Sequence, residues 1–259
     1  MNTDKQYHIG FGPEGAGEYA VLTGDPGRVK AIAAHLDGAH FVASNREYTT
    51  YLGTVAGRRV NVTSVGIGGP SMAIGVEELA KNGVHTFVRI GTSGGIDLGV
   101  RAGDVAIATA AVRQEGTSFE YLPPAFPAAA HFGVTAALVA AAKKQGYTAA
   151  PADGRRAYHV GVVQSKDSFY GEMEPSRMPL GGDLLHLWEV YKRTGVLVSE
   201  MECAALFAVA TALRVRAGGA LLCIWNEERK KALGDGAECH DTAVLYPLVV
   251  DAIKALIEG

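Results

Sequence analysis

Short apolar runs that resemble buried strands alternate along this chain with segments of helical periodicity. The runs at 20–23 and 84–90 each lead into a glycine-rich segment, and amphipathic helical patterns follow at 71–81 and 134–144. Successive parallel strands need a crossover connection, which is usually a helix, whereas antiparallel neighbours need only a short turn. The alternation therefore predicts an α/β fold.

Two β-rich runs, 48–55 and 59–65, are separated by only three residues and predict an antiparallel hairpin within that fold. Further strands are predicted at 104–112, 158–164, 196–199 and 220–225. A last helix is predicted from about Leu245, with Pro247 in its first turn. The chain shows no internal repeat, low-complexity tract or linker. We therefore expect a single domain over residues 1–259.

The composition excludes several classes of protein. The 259 residues are 48% hydrophobic and 20% charged with a formal net charge of −3, which argues against a disordered chain and against nucleic-acid binding. The longest apolar runs fall well short of the roughly 20 residues of a membrane span, and residues 1–5 have no apolar signal segment. Three scattered cysteines give neither a disulfide framework nor metal-ligand spacing. We expect a soluble, cytoplasmic protein.

Three glycine-rich segments follow predicted strands, at 24–28 (GDPGR), 66–70 (GIGGP) and 91–95 (GTSGG). We interpret all three as turns, in which glycine lets backbone N–H groups approach an anion. Taken singly, each is better explained as a plain chain reversal. The middle segment lacks the third glycine of a dinucleotide-binding fingerprint, since Ser71 stands there, and no acidic residue follows about twenty positions later. A Rossmann cofactor site is therefore disfavoured.

Two arginines and a hydroxyl accompany these segments: Arg28, Arg89 and Thr92. A guanidinium group matches phosphate oxygens bidentately, so this set indicates a phosphate site. Arg89, however, lies within an apolar strand, where an unpaired charge is costly. An internal ion pair and an oxyanion clamp therefore remain equally good explanations of Arg89.

The segment 199–202 (SEME) places Glu200 and Glu202 at the junction of a strand and a helix. Acidic residues are common at helix N-termini for electrostatic reasons alone. The preceding buried strand would nevertheless bring both carboxylates to the end of the sheet, where ligands bind and where a carboxylate pair suits sugar hydroxyls. Among the histidines, only His8 is singled out as a candidate.

Eight motifs, in order along nearly the whole chain, resemble the hexameric type of the nucleoside phosphorylase family, most closely its uridine phosphorylases. They are 7–10 (YHIG), 24–28 (GDPGR), 44–50 (SNREYTT), 66–71 (GIGGPS), 89–94 (RIGTSG), 168–170 (SFY), 199–202 (SEME) and 225–226 (WN). The resemblance implies a three-layer phosphorylase/hydrolase-like fold with a central mixed β-sheet flanked by helices. It also implies dimers, as active units, that assemble into a hexamer.

The resemblance further implies which residues hold the substrates. The phosphate site would consist of Gly24, Arg28, Arg89 and Thr92, with Arg46 from a neighbouring subunit. Ribose would lie among Glu200, Met201, Glu202 and the neighbour's His8. Arg89, Glu202 and His8 would be the catalytic residues. The base would contact Thr92, Ser93, Gly94 and Phe169, and we add Glu172, Arg177 and Asn226. A monovalent cation, K⁺, is expected near Glu47, Ile67 and Ser71 at the dimer interface, with no organic cofactor.

The base-binding stretch departs from the family. Uridine phosphorylases typically place Gln, followed closely by Arg, after the Phe-Tyr pair, whereas here Glu172 stands in place of Gln and the nearest arginine is Arg177. An ionised carboxylate can only accept hydrogen bonds and would meet a uracil carbonyl unfavourably. A displaced loop explains the departure equally well. Against a purine substrate stands Asn226, where purine-specific relatives have aspartate.

The implied reaction is reversible phosphorolysis of uridine to uracil and ribose 1-phosphate, a step of pyrimidine salvage catalysed by a pentosyltransferase. Three alternatives remain open. They are a phosphorylase of 6-oxopurine nucleosides, a nucleoside hydrolase that uses water, and a nucleoside-binding protein without turnover. The set of arginines disfavours the last two.

Overall fold

The computed structural model describes residues 5–149 and 156–259; residues 1–4, on which part of the N-terminal expectation rests, lie outside it. In these two ranges one ten-stranded sheet forms the centre of the molecule. Its strands are β1 (Tyr19–Thr23), β2 (Asp37–Asn45), β3 (Tyr48–Val55), β4 (Arg58–Ser64), β5 (Thr86–Gly95), β6 (Val105–Gln114), β7 (Ala128–Ala129), β8 (Tyr158–Lys166), β9 (Val198–Glu200) and β10 (Arg216–Trp225).

Helices cover the sheet. They are α1 (Pro26–Ala33), α2 (Gly69–Lys81), α3 (Thr117–Tyr121), α4 (Phe132–Lys144), α5 (Phe169–Met173), α6 (Gly181–Arg193), α7 (Cys203–Ala212), α8 (Glu227–Leu233) and α9 (Leu245–Glu258). Short 3₁₀ turns occur at Pro13–Gly15, Pro175–Arg177 and Thr242–Val244. Among the described residues, none of the helices combines the length and apolarity that crossing a bilayer requires.

Strand β5 is the hub of the sheet. It pairs in parallel with β1 on one side and with β10 on the other, while its last two residues, Gly94 and Gly95, pair antiparallel with β9. Strands β10, β6, β8 and β9 continue from β5 and return to it, so that five strands close on themselves. On the other side, β1 leads through β4 to the antiparallel strands β3 and β2. The expected mixed sheet is confirmed.

Alternate residues of the central strands build two separate hydrophobic layers, because successive side chains of a strand point to opposite faces. In β1, Leu22 packs with α2 and α7, whereas Val21 packs with α1, α4 and α9. In β5, Phe87 and Val88 divide between the same two layers. The sheet is therefore the middle of three layers, as expected, and its strand ends are free to form a site.

Local sequence signals located several elements correctly. The hairpin of β3 and β4 lies within one residue of its prediction, and the helices α2 and α4 each begin two residues before their predicted starts. The third glycine-rich segment, 91–95, was wrongly expected to be a turn, because β5 continues to Gly95. Glycine is needed there for space: a Cβ on Gly95 would lie 2.4 Å from Nδ2 of Asn226.

Asp104 ties the beginning of β6 to the beginning of β8. Its buried carboxylate accepts hydrogen bonds from the backbone amides of Ala157 and Arg101, both at 2.9 Å, and lies 3.0 Å from Nε2 of His159. Burial would raise the pKa of Asp104, but the hydrogen bonds from His159 and the two amides hold it below its usual value. Asp104 therefore stabilises the folded chain in its charged form.

We predict that Asp104→Asn lowers the free energy of unfolding by about 1–3 kcal/mol at pH 7, because buried donors lose a charged acceptor. The pKa of Asp104 is lower in the folded than in the unfolded chain. Its contribution is therefore complete above the unfolded pKa of about 4 and is lost as the pH falls through the folded pKa. Urea unfolding at fixed protein concentration should show the difference at pH 7 and a smaller one at pH 3.

The exposed Asp183, in the first turn of α6, provides the matched control. Asp183→Asn should change stability by no more than about 0.5 kcal/mol at either pH. A destabilisation by Asp104→Asn that is equal at both pH values would contradict a charged Asp104.

Candidate active site

A cavity of about 730 Å³ opens at the carboxyl ends of the parallel strands β1, β5 and β10. Ligands of open α/β sheets bind at this edge, because the connections there diverge and leave a crevice. Gly24 enters the cavity after β1, Thr92 belongs to the end of β5, and Trp225 closes β10. The edge of the sheet thus gathers residues far apart in sequence.

Arg89 lines the cavity, although its side chain is almost fully buried and only 3% of the residue is exposed. Its Nε donates to Oε2 of Glu200 at 3.2 Å, and its Nη2 donates to Glu202. Its remaining nitrogen, Nη1, is buried and has no hydrogen-bond partner among the described residues. The internal ion pair is therefore present, and the oxyanion clamp stays a prediction that Nη1, unpartnered within the described ranges, allows.

The two carboxylates that hold Arg89 also fix the surrounding backbone. Glu200 accepts hydrogen bonds from the amides of Glu202 and Cys203, each at 2.9 Å, at the start of α7. Glu202 accepts a hydrogen bond from the amide of Gly68 at 2.7 Å, in the turn before α2. Gly68 has a φ of 91°, which a residue with a side chain seldom adopts. The second glycine segment thus begins as a true turn that contacts Glu202, and its last two residues start α2.

Burial and charge shift the pKa values in this cluster. Burial raises the pKa of the Glu202 carboxyl; the charge of Arg89 opposes this effect, and Glu200 adds to it. Burial would lower the pKa of Arg89, but Glu202 and Glu200 outweigh it and raise that pKa instead. The guanidinium group therefore stays charged, while the charge on Glu202 is sensitive to what binds beside it.

One end of the cavity suits an anion. Gly24 and Arg28 line it together with Thr92, as the sequence predicts. Asp25 caps α1 by accepting a hydrogen bond from the amide of Gly27 at 2.8 Å, and it lies 3.6 Å from Nε of Arg28. The free N–H groups of a helix N-terminus and a nearby arginine both favour negative charge.

The other end of the cavity contains residues expected to contact a base, namely Ser93, Gly94, Phe169 and Glu172, and Met201 also lines the cavity. Glu172 does not stand alone there, because its Oε2 lies 2.8 Å from Nζ of Lys166. Sequence reasoning missed Lys166 because it ended the predicted strand at 164. A lysine two positions before the SFY motif was the available signal.

Two residues predicted to contact the base lie elsewhere. Arg177 is outside the cavity lining; its guanidinium pairs with Glu174 at 2.7 Å and lies 5.7 Å from the centre of the Tyr170 ring. Asn226 is buried and does not line the cavity either. Its amide group donates to two backbone carbonyls, and its Oδ1 accepts from the amide of Arg229, so that it caps α8. Its polar atoms are therefore engaged within the fold.

His8 and Arg46 do not line the cavity of their own chain. The ring nitrogen Nδ1 of His8 lies 2.7 Å from Glu78, and Asn45 donates to the carbonyl of His8 at 2.8 Å. Arg46 follows Asn45 in the exposed turn between β2 and β3, with a φ of 53°. The N-terminal segment and this turn therefore form one surface. A role of both residues in a neighbouring subunit remains a prediction.

The residues expected near a cation are adjacent in the structure. Ser71 donates to Oε1 of Glu47 at 2.8 Å, and Glu47 and Ile67 both line the cavity. A backbone hydrogen bond and the one from Ser71 lower the pKa of Glu47, which keeps its carboxylate charged. Within the described ranges, no cluster of three or more His, Cys, Asp or Glu side chains has the proximity that metal binding needs.

The comparison with known proteins decides the family. The sequence profile of the Phosphorylase superfamily matches residues 18–245. The chain belongs to the phosphorylase superfamily. The resemblance drawn from the eight motifs is therefore confirmed.

Individual phosphorylases match this superfamily member over most of its length. Uridine phosphorylase of Treponema pallidum is 46% identical over 256 residues, which cover 99% of this chain and 96% of the relative. Uridine phosphorylase of Escherichia coli is 37% identical over 263 residues, covering 99% and 100%. Guanosine phosphorylase of Halorubrum lacusprofundi is 36% identical over 214 residues, covering 83% and 80%.

We predict that Arg89→Ala lowers the free energy of unfolding by about 3–5 kcal/mol, because it leaves two buried carboxylates without their counterion. Urea unfolding at pH 7 measures this loss. Arg177→Ala is the control, since that exposed arginine forms a surface ion pair worth about 1 kcal/mol at most. An Arg89→Ala protein as stable as the wild type would show that Arg89 does not hold the acidic pair.

Proposed function

We propose that this chain is a uridine phosphorylase, which converts uridine and inorganic phosphate reversibly into uracil and ribose 1-phosphate. The observation that carries the proposal is that one cavity combines three kinds of group. Two arginines, the buried carboxylate of Glu202, and the Phe169 ring beside the Lys166–Glu172 pair all line it. Relatives that bear this name match nearly the whole chain.

Phosphate is the co-substrate and binds at the anion end. Arg28, Thr92 and the free Nη1 of Arg89 hold its oxygens, with the amide groups near Gly24. Arg46 of a neighbouring subunit completes the site. Because these groups are already charged and oriented, they place a phosphate oxygen beneath C1′ and lower the barrier by proximity and electrostatics.

Ribose binds beside Glu202 and Met201. Each oxygen of Glu202 accepts one hydrogen bond within the protein, from Gly68 or from Arg89, and each has a second lone pair for a sugar hydroxyl. Positive charge grows on the ribose ring as the C1′–N bond breaks, and the buried acidic pair stabilises it. His8 of the neighbouring subunit contacts the sugar from the other side. No covalent nucleophile from the protein is required.

The active unit is a dimer, and dimers assemble into a hexamer in the cytoplasm. Support comes from the placement of His8 and Arg46, which share one exposed surface and do not reach their own cavity. In a two-fold dimer each surface faces the partner's cavity, because such contacts are reciprocal.

A monovalent cation, K⁺, fits the dimer interface at Glu47 and Ser71. Their carboxylate and hydroxyl oxygens, with a carbonyl near Ile67, are hard donors of the kind that alkali cations prefer, and the two-fold axis would double the set. Bound there, the cation would supply only charge balance and interface stability.

One observation favours a second substrate class, the 6-oxopurine nucleosides. A second cavity of about 620 Å³ adjoins the base end and shares Glu172 and Trp225 with the first. A larger base therefore has room to enter. The match to guanosine phosphorylase also favours a purine nucleoside as the substrate.

We expect uridine with phosphate to give uracil and ribose 1-phosphate, and we expect omission of phosphate to reduce turnover about 100-fold or more. Chromatography of reactions with uridine, thymidine, inosine and adenosine, each with and without phosphate, measures both. A strong preference for inosine over uridine would favour the purine alternative. Turnover undiminished without phosphate would identify a nucleoside hydrolase.

The shared site predicts complementation between two inactive variants, Arg46→Ala and Glu202→Gln. In a mixed dimer one site collects both lesions, and the other has an intact Arg46 and an intact Glu202. Random exchange at equal concentrations should therefore restore about a quarter of the sites. Activity assays of re-equilibrated mixtures, with mixed dimers confirmed by native mass spectrometry, test this. Confirmed mixed dimers as inactive as either parent would refute the shared site.

A further inference from the structure

Lys166 is a buried cation at the base end of the cavity. It is the last residue of β8, and it is 7% exposed. The described residues that line the cavity include three basic side chains, those of Arg28, Arg89 and Lys166. Lys166 is the one among these three that lies beside Glu172 and Phe169, which are expected to contact the base.

Lys166 and Glu172 form a pair that Ser199 completes. Nζ of Lys166 donates to Oγ of Ser199 at 2.6 Å and lies 2.8 Å from Oε2 of Glu172. Ser199 in turn donates to the same Oε2. An ammonium group has three N–H donors, and here two have acceptors in the described part of the chain. Oε1 of Glu172 has no hydrogen-bond donor among those residues.

The pair therefore offers one free donor and one free acceptor side by side. The space in front of them suits a planar ring, because Gly94 has no side chain there. A Cβ on Gly94 would lie 3.9 Å from Oε1 of Glu172 and 3.5 Å from Nε1 of Trp225. The Phe169 ring lies on the same side, with its centre 6.0 Å from Nζ of Lys166.

We propose that Lys166 and Glu172 together recognise the N–H and adjacent carbonyl of the substrate base, and that Lys166 is a catalytic residue; this rests on the proposed function. Oε1 of Glu172 accepts the hydrogen bond from N3–H of uracil, and Lys166 donates to the neighbouring carbonyl oxygen. Because Lys166 faces the uracil carbonyl, the carboxylate of Glu172 does not have to lie against that carbonyl, which would be unfavourable. No glutamine is then required at position 172.

The arrangement selects bases with an N–H beside a carbonyl. Cytosine presents the opposite pattern, an unprotonated ring nitrogen beside an amino group. Its ring nitrogen would face the carboxylate and its amino group would face the ammonium, which leaves polar groups without partners. Uridine should therefore react and cytidine should not, whereas a 6-oxopurine carries the same N–H and carbonyl edge as uracil.

Lys166 also acts on the leaving group. A phosphate oxygen forms a bond to C1′ while the C1′–N1 bond breaks, and the electron pair of that bond passes into the uracil ring. The negative charge spreads to the ring carbonyls, where the ammonium of Lys166 stabilises it. A proton from solvent then neutralises N1. The interaction strengthens as the charge develops, so that it raises the rate as well as the affinity.

The test compares Lys166→Met and the neutral double variant Lys166→Met/Glu172→Gln with the control Arg177→Ala. Uridine and 5-fluorouridine are the substrates, because fluorine makes the departing base a weaker base that needs less stabilisation. We expect the lysine variants to lose about 100-fold in kcat/KM with uridine and clearly less with 5-fluorouridine. Arg177→Ala should stay within about threefold of the wild type.

Glu172→Gln gives a second measurement that retains Lys166. A glutamine amide can rotate to donate to the cytosine ring nitrogen, so the preference for uridine over cytidine should fall at least about tenfold. Glutamine has nearly the same side-chain volume as glutamate, so this variant leaves no cavity. It therefore tests base recognition even if the lysine variants do not fold.

Equal losses with uridine and 5-fluorouridine would reduce Lys166 to a structural ion pair and overturn the catalytic role. An unchanged preference for uridine over cytidine in Glu172→Gln would overturn the recognition of the base. A large loss in Arg177→Ala would assign the base to that arginine instead. A wild-type protein without phosphate-dependent cleavage of uridine would refute the proposed function itself, before any variant is compared.

Discussion

The buried interaction of Arg89 with Glu200 and Glu202 is the contact on which the rest of the site depends. A charge in the middle of a sheet is tolerated only when opposite charges are in place. Arg89 belongs to β5, Glu200 ends β9, and Glu202 precedes α7 and binds the turn before α2. One ionic cluster therefore fixes the relative position of two strands and two helix starts around the cavity.

A second buried ion pair, between Lys166 and Glu172, lines the same cavity. Lys166, at the end of β8, pairs directly with Glu172 of α5, and Ser199 of β9 bonds to both, so that Arg89 and Lys166 are each held by carboxylates of other elements. Neither ion pair satisfies all of its own polar atoms: Nη1 of Arg89 has no partner among the described residues. Groups that are fixed by charge and still have hydrogen-bonding capacity are preorganised for a ligand.

A surface outside the cavity carries two of the residues that the proposed dimer requires. Asn45 joins the turn between β2 and β3 to the segment around His8 by a hydrogen bond. The His8 ring in turn contacts the carboxylate of Glu78 in α2. The proposed dimer gives a single reason for the hydrogen bonds that order an N-terminal segment, which is otherwise commonly poorly ordered.

Local pattern in the sequence determined the α/β class, the hairpin of β3 and β4, and the helices α2 and α4, since periodicity and turn residues act over a few positions. Pairing between distant strands decided the rest. It made 91–95 a strand and carried β8 on to Lys166, and long-range hydrogen bonds to the carbonyls of Asp97 and Val100 engaged the Asn226 amide within the fold. Such contacts join residues far apart in the chain, and no short-range pattern encodes which of two arginines or lysines will face a ligand.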